Sequence, residues 1–275
     1  KDYKNPGQQI DLIVSSGGDT SFINIWLVKI LDVNNIYCSG LRGIEPVRFS
    51  LIISTLNLGL KNSITLEVAP TKVGLDTISH DTSVFCQEKG IEKKEKYFAL
   101  LIGGDGAGYS YKSKDFEHLV KSFMDFTIKN DAKALITTSR RTGLENERFL
   151  EDQFSRYPEY IAYSVYYNQN PEKVVAVYLN LASAIFVTEE SGSMITESLF
   201  YKKPLFALRP KLVNDQPRYK LFLNDLCNKK RIKALSLGED FSNIDLHRLD
   251  FSYIEKTPIE ELAENIEPYI KEFIS

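Results

Sequence analysis

The segment AIFVTEESGSMITESLFYKKPLFAL, residues 184–208, consists of two short apolar runs on either side of a stretch whose apolar residues have helical spacing. Continuous apolar runs of this length are typical of strands that are buried on both faces of a parallel sheet. The segment therefore predicts a strand over residues 184–189, a helix over 192–202 and a second strand over 204–208. Strand, helix and strand in this order form the repeating unit of an α/β protein.

The same alternation continues through the rest of the second half of the chain. Apolar runs predict strands at residues 97–104, 133–139, 160–163 and 232–236. Segments with helical spacing predict helices at residues 113–129, 144–154, 171–181 and 217–228. This regular alternation predicts a parallel sheet with helices on both faces.

The first half of the chain has the same character. Strands are predicted at residues 10–16, 35–39, 50–55 and 63–68, and helices at residues 21–31 and 77–90. The charged run EKKEKY, residues 92–97, interrupts the apolar pattern and is predicted to be a linker.

Two domains follow from this division, residues 1–92 and residues 93–256. The final segment PIEELAENIEPYIKEF, residues 258–273, is predicted to be an amphipathic helix. We expect its apolar face to pack on the first domain, so residues 257–275 are assigned to that domain. Because a strand is predicted almost directly after Lys1, we also expect the first domain to be incomplete at its beginning.

The composition disfavours several classes of protein. The net charge is −3 and the pI is about 5.8, which argues against a surface built for nucleic acid. The three cysteines are far apart and form neither a disulfide framework nor a zinc motif, and no other residues have the spacing of a metal site. No apolar run is long enough to cross a bilayer. These features favour a cytoplasmic protein without a metal or cofactor, with any membrane contact limited to its periphery.

Candidate binding residues follow the predicted strands of the second domain. In open parallel sheets, ligands bind at the carboxyl ends of the strands. The loop IGGDGAGYS begins at residue 102 and contains four glycines, among them Gly103 and Gly104, which allow a close approach of backbone to a phosphate. Its spacing matches neither a P-loop nor a dinucleotide fingerprint, so an ordinary flexible loop is an equal alternative.

Two arginines, Arg140 and Arg141, end the next strand. Adjacent guanidinium groups at a strand end are costly to bury without an anion, and their geometry matches phosphate oxygens. Phosphate is therefore the predicted partner. The alternative is that one arginine forms an interdomain salt bridge while the other is solvated.

Ser191, Ser193 and Glu197 follow the strand quoted first. The serines lie at the start of a helix, whose free N–H groups bind anions, and Glu197 lies one turn further on, where a carboxylate can accept hydrogen bonds from both hydroxyls of a ribose. This predicts a nucleoside diphosphate site. The alternative is ordinary helix capping by one of the serines, with the acid near the positive helix end.

The sequence indicates a general base less clearly than it indicates the nucleoside diphosphate site. His80 is followed by Asp81, so it is a candidate, although an ordinary residue near a helix N-terminus is the better interpretation. Of the other two histidines, His118 lies within a predicted helix as a surface residue and His247 lies in a late loop.

The segments ITTSRRTG, residues 136–143, and VTEESGSMITES, residues 187–198, together resemble the ELM-like (elongated mitochondria, mitochondrial-fission-type) family. That family has a T-S-R-R-T segment followed by a V-T-x-D-S-x-S-M-x-x-E segment. Residues 14–29, VSSGGDTSFINIWLVK, resemble its G-R-R-T-x-x-x-N-x-W-L segment, and LIGG at residues 101–104 resembles its glycine-rich strand end. The likeness covers most of the chain.

The resemblance implies the fold of B-type glycosyltransferases, with two Rossmann-like domains facing each other across a cleft. It implies that the second domain binds the nucleotide of a sugar donor and the first an acceptor. By position, the diphosphate and ribose would be held by Ser191, Ser193 and Glu197. Ser139, Arg140 and Arg141 would flank the diphosphate, and Gly103 and Gly104 would leave room for the sugar.

The expected function is transfer of a sugar from a nucleotide-diphosphate sugar to a cell-envelope glycan or lipid-linked acceptor, without a metal. Arg140 or Arg141 would stabilise the departing diphosphate. Two alternatives stay open: a nucleotide-sugar 2-epimerase, and a non-catalytic scaffold like the plant members of the family.

Some positions depart from the family pattern. Its paired arginines in the first domain are Gly18 and Asp19 here, its H-D is Leu56–Asn57, and its D-S is Glu190–Ser191. The acceptor base is expected in the first domain, where Asp19 and His80 are the candidates.

Overall fold

The computed structural model describes residues 10–41, 43–71, 75–214 and 216–274, without the side chains of residues 75–77. Residue contacts divide the chain into two compact units. Unit 1 is Lys1–Lys72 with Lys256–Ser275, and unit 2 is Val73–Glu255. Each unit has its own parallel sheet.

The helices and strands of the described residues alternate as an α/β protein requires. The strands are β1 (Leu12–Ser16), β2 (Asn34–Cys38), β3 (Leu51–Ser54), β4 (Ser63–Thr65), β5 (Tyr97–Ile102), β6 (Tyr109–Ser110), β7 (Lys133–Thr138), β8 (Ile161–Val165), β9 (Ala182–Thr188), β10 (Leu205–Arg209), β11 (Leu212–Val213) and β12 (Lys233–Ser236). The helices are α1 (Thr20–Leu31), α2 (Leu75–Lys89), α3 (Ser113–Lys129), α4 (Leu144–Phe154), α5 (Val175–Leu181), α6 (Gly192–Ser198), α7 (Pro217–Asn228) and α8 (Pro258–Ile274). No described helix is both long enough and apolar enough to span a bilayer.

The sheet of unit 1 has the strand order β1-β2-β3-β4, and each neighbouring pair is parallel. Apolar side chains of α8, including Leu262, Ile266 and Phe273, pack against the cluster formed by Ile36, Leu51 and neighbouring core residues. A second cluster contains Tyr37 and packs against Ile25 of α1. Among the described residues of unit 1, α8 thus packs against one apolar cluster and α1 against another.

Helix α1 has an unusual distribution of side chains. The polar Asn24 is buried and donates hydrogen bonds to Ser15 Oγ at 2.8 Å and to the Ile36 carbonyl at 3.1 Å. Large apolar side chains of the same helix, among them Phe22 and Trp26, are exposed. The polar contacts of Asn24 thus fix α1 to the sheet.

The sheet of unit 2 has the strand order β12-β10-β9-β5-β7-β8, with every pair parallel. Counted from its first strand, this is the order 6-5-4-1-2-3, which is the Rossmann order read from the other edge. The order reverses between β5 and β9. At such a switch point the loops after the two central strands separate to opposite faces, so a crevice opens at their carboxyl ends.

Phenylalanine rings form the centre of unit 2. Phe186 on β9 is fully buried, and its ring centroid lies 4.7 Å from that of Phe206 and 5.3 Å from those of Phe123 and Phe126. The ring of Phe241 lies 5.9 Å away. The core is thus continuous between β9, β10 and α3, which fixes the strand ends on which candidate site residues lie.

The boundary between the two units differs from the sequence prediction. It falls at Lys72/Val73, whereas the prediction divides the chain after residue 92. Helix α2 belongs to unit 2 because it packs against α5: Asn180 donates a hydrogen bond to Thr82 Oγ1 at 2.9 Å. The predicted linker 92–97 is therefore an ordinary connection between α2 and β5 within unit 2.

Most predicted elements agree with the structure within a few residues, and the α/β class is confirmed. The predicted helix 171–181 is shorter, because α5 begins only at Val175. The antiparallel pair of β6 and β11 was not predicted. Each strand of this pair has two residues, which is too short for a period-2 pattern.

Candidate functional site

The candidate site lies at the switch point of unit 2, where β5 and β9 end side by side. Three loops meet there: residues 103–108 after β5, 139–143 after β7 and 189–193 after β9. The Gly103 amide donates a hydrogen bond to Thr188 Oγ1 at 2.6 Å, which joins the first loop to the end of β9. The three loops that carry the predicted site residues therefore lie together at this edge of the sheet.

Gly103 and Gly104 are required by contacts inside the protein. A side chain on Gly103 would collide with the carboxylate of Glu190, and one on Gly104 would collide with the backbone carbonyl of Arg141. The sequence prediction that these glycines leave room for a sugar differs from this arrangement, because protein atoms fill the space on their Cβ sides.

The segment after β7 folds into a single 3₁₀ turn, Arg140–Thr142. Ser139 caps it, since its Oγ accepts a hydrogen bond from the Arg141 amide at 3.2 Å. Thr142 Oγ1 donates to the carbonyls of Ile102, at 3.1 Å, and Gly103. These bonds fix the turn against the end of β5, so Ser139 has a structural role beside its predicted place near the diphosphate.

The two arginines of this turn have different surroundings. The Arg141 guanidinium lies over Gly106, which has no Cβ to obstruct it, and its Nη2 is 3.5 Å from Glu190 Oε1. Arg140 is exposed and, within the described part of the chain, has no hydrogen bond or ion pair through its side chain. The ion pair of Arg141 with Glu190 lies within unit 2.

Glu190 is the most enclosed acid of the site, with a side chain that has no exposed surface. Its Oε1 accepts a hydrogen bond from the Gly104 amide at 2.8 Å, and its Oε2 accepts one from the Tyr111 hydroxyl at 2.7 Å. Burial raises the pKa of Glu190 above its ordinary value, an effect that these two hydrogen bonds and Arg141 oppose.

Glu189 is buried next to Glu190 and has its own hydrogen-bond partners. Its Oε1 accepts hydrogen bonds from Arg209 Nη1 at 2.6 Å and from the Tyr109 hydroxyl at 2.7 Å. The Tyr219 hydroxyl, from α7, donates to the Glu189 carbonyl. These contacts fasten the loop after β9 to three other segments.

Helix α6 starts in this loop, and neither predicted serine caps it with its side chain. Ser191 occupies the N-cap position without a side-chain hydrogen bond to the backbone, and Ser193 is exposed. The amides of Ser193 and Met194 have no hydrogen-bond acceptor among the described residues. The capping alternative therefore does not explain the serines, and two backbone donors stay open to a ligand.

Glu197 lies one turn along the same helix and is partly buried. Within the described residues its carboxylate accepts no hydrogen bond, and burial raises its pKa. The Tyr201 hydroxyl, a further turn on, is also buried without a hydrogen-bond partner there. A carboxylate that is partly desolvated without a partner is suited to bind hydroxyl groups of a ligand.

The two candidates for the acceptor base lie on different units. Asp19 is exposed at the N-terminus of α1 in unit 1. His80 is exposed on α2, which belongs to unit 2, so its predicted place in the first domain is wrong. The reason is the misplaced boundary: α2 was counted with the strands before it. Among the described residues, no group of three side chains is arranged to hold a metal ion.

Sequence reasoning missed the buried pair Glu189 and Glu190 as site residues. The sequence TEE, residues 188–190, at the end of an apolar run was the available signal, because an acid pair that directly follows a buried strand is costly to bury unless positive charges or hydrogen bonds compensate it. The tyrosines and arginines that satisfy the pair come from residues 109–111, 141, 209 and 219, whose proximity depends on the strand order.

The sequence matches the profile of the family described as Mitochondrial fission ELM1 over residues 4–266. This match covers nearly all of the chain, so the protein belongs to that family, as the sequence resemblance predicted. A search of curated proteins finds no significant relative.

Three bacterial proteins of solved structure have the same fold. A candidate UDP-N-acetylglucosamine 2-epimerase from Listeria monocytogenes is 12% identical, with a TM-score of 0.60 over 96% of this chain and 74% of that one. A glycosyltransferase from Rickettsia africae is 10% identical, with a TM-score of 0.54 over 97% and 77%. A UDP-GlcNAc 2-epimerase from Neisseria meningitidis, bound to UDP-GlcNAc, is 12% identical, with a TM-score of 0.53 over 96% and 70%.

These likenesses identify the fold. The chain has the B-type glycosyltransferase fold with two Rossmann-like domains, as predicted. Because the sequence identity is this low, the comparison shows a common fold and not a common activity.

Proposed function

We propose that this protein is a metal-independent glycosyltransferase whose unit 2 binds a nucleotide-diphosphate sugar at the switch point. The observation that supports the proposal is the half-exposed Arg141, which contacts Glu190 two residues before α6, together with the Ser193 and Met194 amides and the Glu197 carboxylate of α6, which have no partner among the described residues. Cation, amides and acceptor are the groups that bind diphosphate and ribose. The activities of structures with the same fold support this class of ligand.

Each group has a proposed role. The diphosphate accepts hydrogen bonds from the amides of Ser193 and Met194 and from Arg141, with Ser191 and Arg140 at its edge. Glu197 accepts hydrogen bonds from the ribose hydroxyls. As the bond to the sugar breaks, negative charge increases on the diphosphate, so donors already aimed at it stabilise the transition state more than the ground state.

The acceptor side of the proposal rests on family resemblance. The acceptor is a cell-envelope glycan or a lipid-linked sugar, reached from the cytoplasmic side with peripheral contact to the membrane. Asp19 in unit 1 is proposed as the base that takes the proton of the acceptor hydroxyl. His80 is a weaker candidate, because it lies on α2 of the donor-binding unit.

A second candidate function is a nucleotide-sugar 2-epimerase. It is supported by the fold comparison, since two of the three structures above are described as 2-epimerases or candidate 2-epimerases. The two functions differ in their requirement for an acceptor. Conversion of a nucleotide sugar to its epimer without any acceptor identifies an epimerase.

Thermal denaturation with nucleoside diphosphates of uridine, guanosine, cytidine and adenosine tests the proposed site. A ligand at a hundred times its Kd stabilises the folded state by about 2.7 kcal/mol, so one base should raise Tm clearly. Glu197→Gln should lower the affinity for that nucleotide about tenfold, because a neutral amide accepts weaker hydrogen bonds from the ribose hydroxyls than a carboxylate does.

The matched control is Glu117→Gln, which changes an exposed glutamate of α3. It should leave the affinity unchanged. If none of the four nucleotides raises Tm, the enzyme proposal fails and a scaffold function is favoured. If Glu197→Gln and Glu117→Gln bind equally well, the ribose site is misplaced.

A further inference from the structure

Glu189 and Glu190 are adjacent buried acids with parallel sets of partners. Each has one arginine and one tyrosine, Arg209 and Tyr109 for Glu189, and Arg141 and Tyr111 for Glu190. Their side chains are 3% and 0% exposed. Glu190 differs in that its Oε1 also accepts hydrogen bonds from the Gly104 amide and the Thr188 hydroxyl.

The two ion pairs differ in geometry. Arg209 Nη1 is 2.6 Å from Glu189 Oε1, a short charge-assisted contact. Arg141 Nη2 is 3.5 Å from Glu190 Oε1, at the outer limit of a hydrogen bond, and its side chain is 38% exposed. Arg141 is thus held loosely by a buried acid on one side while its other side is open to solvent.

An anion that reaches Arg141 from solvent approaches a buried carboxylate as well. Both carry negative charge, and burial strengthens their repulsion because the local dielectric is low. This repulsion between the anion and the Glu190 carboxylate is removed if Glu190 takes up a proton. Burial already favours the neutral form, since it raises the pKa of Glu190.

The surroundings can accommodate a neutral Glu190. The charged and titratable groups that face it are Arg141, Tyr111 and Tyr219, with Glu189 next in the chain. When Glu190 Oε2 becomes O–H, the Tyr111 hydroxyl no longer needs to donate to it. That hydroxyl already lies 3.2 Å from the Leu208 carbonyl, which can accept its hydrogen bond instead.

We propose that Glu190 is the resident counter-anion of Arg141 and that the diphosphate of a bound nucleotide sugar replaces it, with a proton from solvent taken up by the Glu190 carboxylate. This inference rests on the proposed function. Glu190 acts through Arg141 and is a positioning residue. It makes affinity depend on pH: binding strengthens as pH falls and Glu190 becomes protonated, and weakens as pH rises and its charge returns.

The test is calorimetric affinity for UDP-GlcNAc between pH 5.5 and 8, a range in which the diphosphate diester of this probe does not titrate. Wild-type affinity should rise about tenfold as pH falls, one decade per unit of pKa shift. Glu190→Gln should bind at pH 8 about as tightly as the wild type at pH 5.5, with no pH dependence. Heats measured in buffers of different ionisation enthalpy should show proton uptake in the wild type and none in Glu190→Gln.

Two further variants separate this role from a structural one. Glu189→Gln removes an equally buried acid with a tight partner and should keep the wild-type pH profile. Tyr111→Phe removes a hydrogen bond that lowers the pKa of Glu190, so the profile should move to higher pH. This second variant still tests the inference if Glu190→Gln does not fold.

The outcomes distinguish the two proposals. If the wild type binds the probe with no pH dependence or proton uptake, or if Tyr111→Phe leaves the profile in place, Glu190 is not a displaceable counter-anion, although the nucleotide site stands. If Glu190→Gln weakens binding at every pH, Glu190 orients Arg141 without competing with the ligand. If the wild type binds no nucleoside diphosphate or nucleotide sugar of any base, both proposals fall together.

Discussion

Arg141→Ala should weaken binding of the nucleotide-diphosphate sugar about a hundredfold. Hydrogen bonds to charged groups contribute about 1.5–3 kcal/mol each, and every 1.4 kcal/mol changes affinity tenfold. Arg141 belongs to the turn Arg140–Thr142, whose backbone is fixed by the hydrogen bonds of Ser139 and Thr142, so little backbone freedom is lost when the guanidinium binds. Isothermal titration calorimetry measures the change.

Arg140→Ala is the matched comparison, since it removes the same charge from the neighbouring position. Arg140 is exposed and lacks a partner among the described residues, so its removal should cost only about threefold, as expected for solvated charges. Unchanged circular dichroism should accompany both variants. Equal losses from both would mean that net charge alone attracts the ligand, and no loss from Arg141→Ala would move the diphosphate elsewhere.

Phe186→Ala should lower the free energy of unfolding of unit 2 by about 3–5 kcal/mol. The ring is fully buried among other rings from β10, α3 and residue 241, so truncation leaves a cavity that these neighbours cannot fill without moving strands. Urea unfolding followed by circular dichroism measures the loss. The same residue lies two positions before Thr188, so nucleotide affinity should fall as well.

Leu221→Ala provides the control for Phe186→Ala. Leu221 is also apolar and lies on α7 of the same unit, but its side chain is exposed. Its truncation should change the unfolding free energy by less than about 0.5 kcal/mol, as is usual for surface substitutions. Similar losses from both variants would contradict the assignment of the ring cluster as the core of unit 2.

Much of the fold was predictable because its signals are local. Helices α3, α4 and α7 begin and end at the residues that the sequence predicts, and α7 starts with Pro217 at a position that proline favours. The strands of unit 2 were visible because burial on both faces makes them continuous apolar runs.

The domain boundary was not predictable because it depends on contacts between segments that are distant in the sequence. The charged run at residues 92–97 looks like a linker, yet Tyr97 is buried as the first residue of β5. Assignment of α2 depends on its contact with α5, which is remote in sequence. Charge alone does not distinguish an exposed connection within a unit from one between units.

The sequence predicts where a candidate site should lie, and that remains a prediction, whereas the contacts within the site were not predictable. Strand ends carrying Arg141, Ser191 and Glu197 indicated an anion-binding edge, since the rule for parallel sheets needs only the order of elements along the chain. The pairing of Glu190 with Gly104, Tyr111 and Arg141 requires the strand order and register, which place β5 between β7 and β9.

Amide hydrogen exchange of residues 189–197 with and without a saturating nucleotide-diphosphate sugar tests the central claim most directly. The amides of Ser193 and Met194 have no acceptor among the described residues, so they should exchange rapidly in the free protein. If the diphosphate accepts their hydrogen bonds, their exchange should slow markedly when it binds. Binding that leaves the exchange of these two amides unchanged would contradict the claim that the nucleotide diphosphate lies at the start of α6.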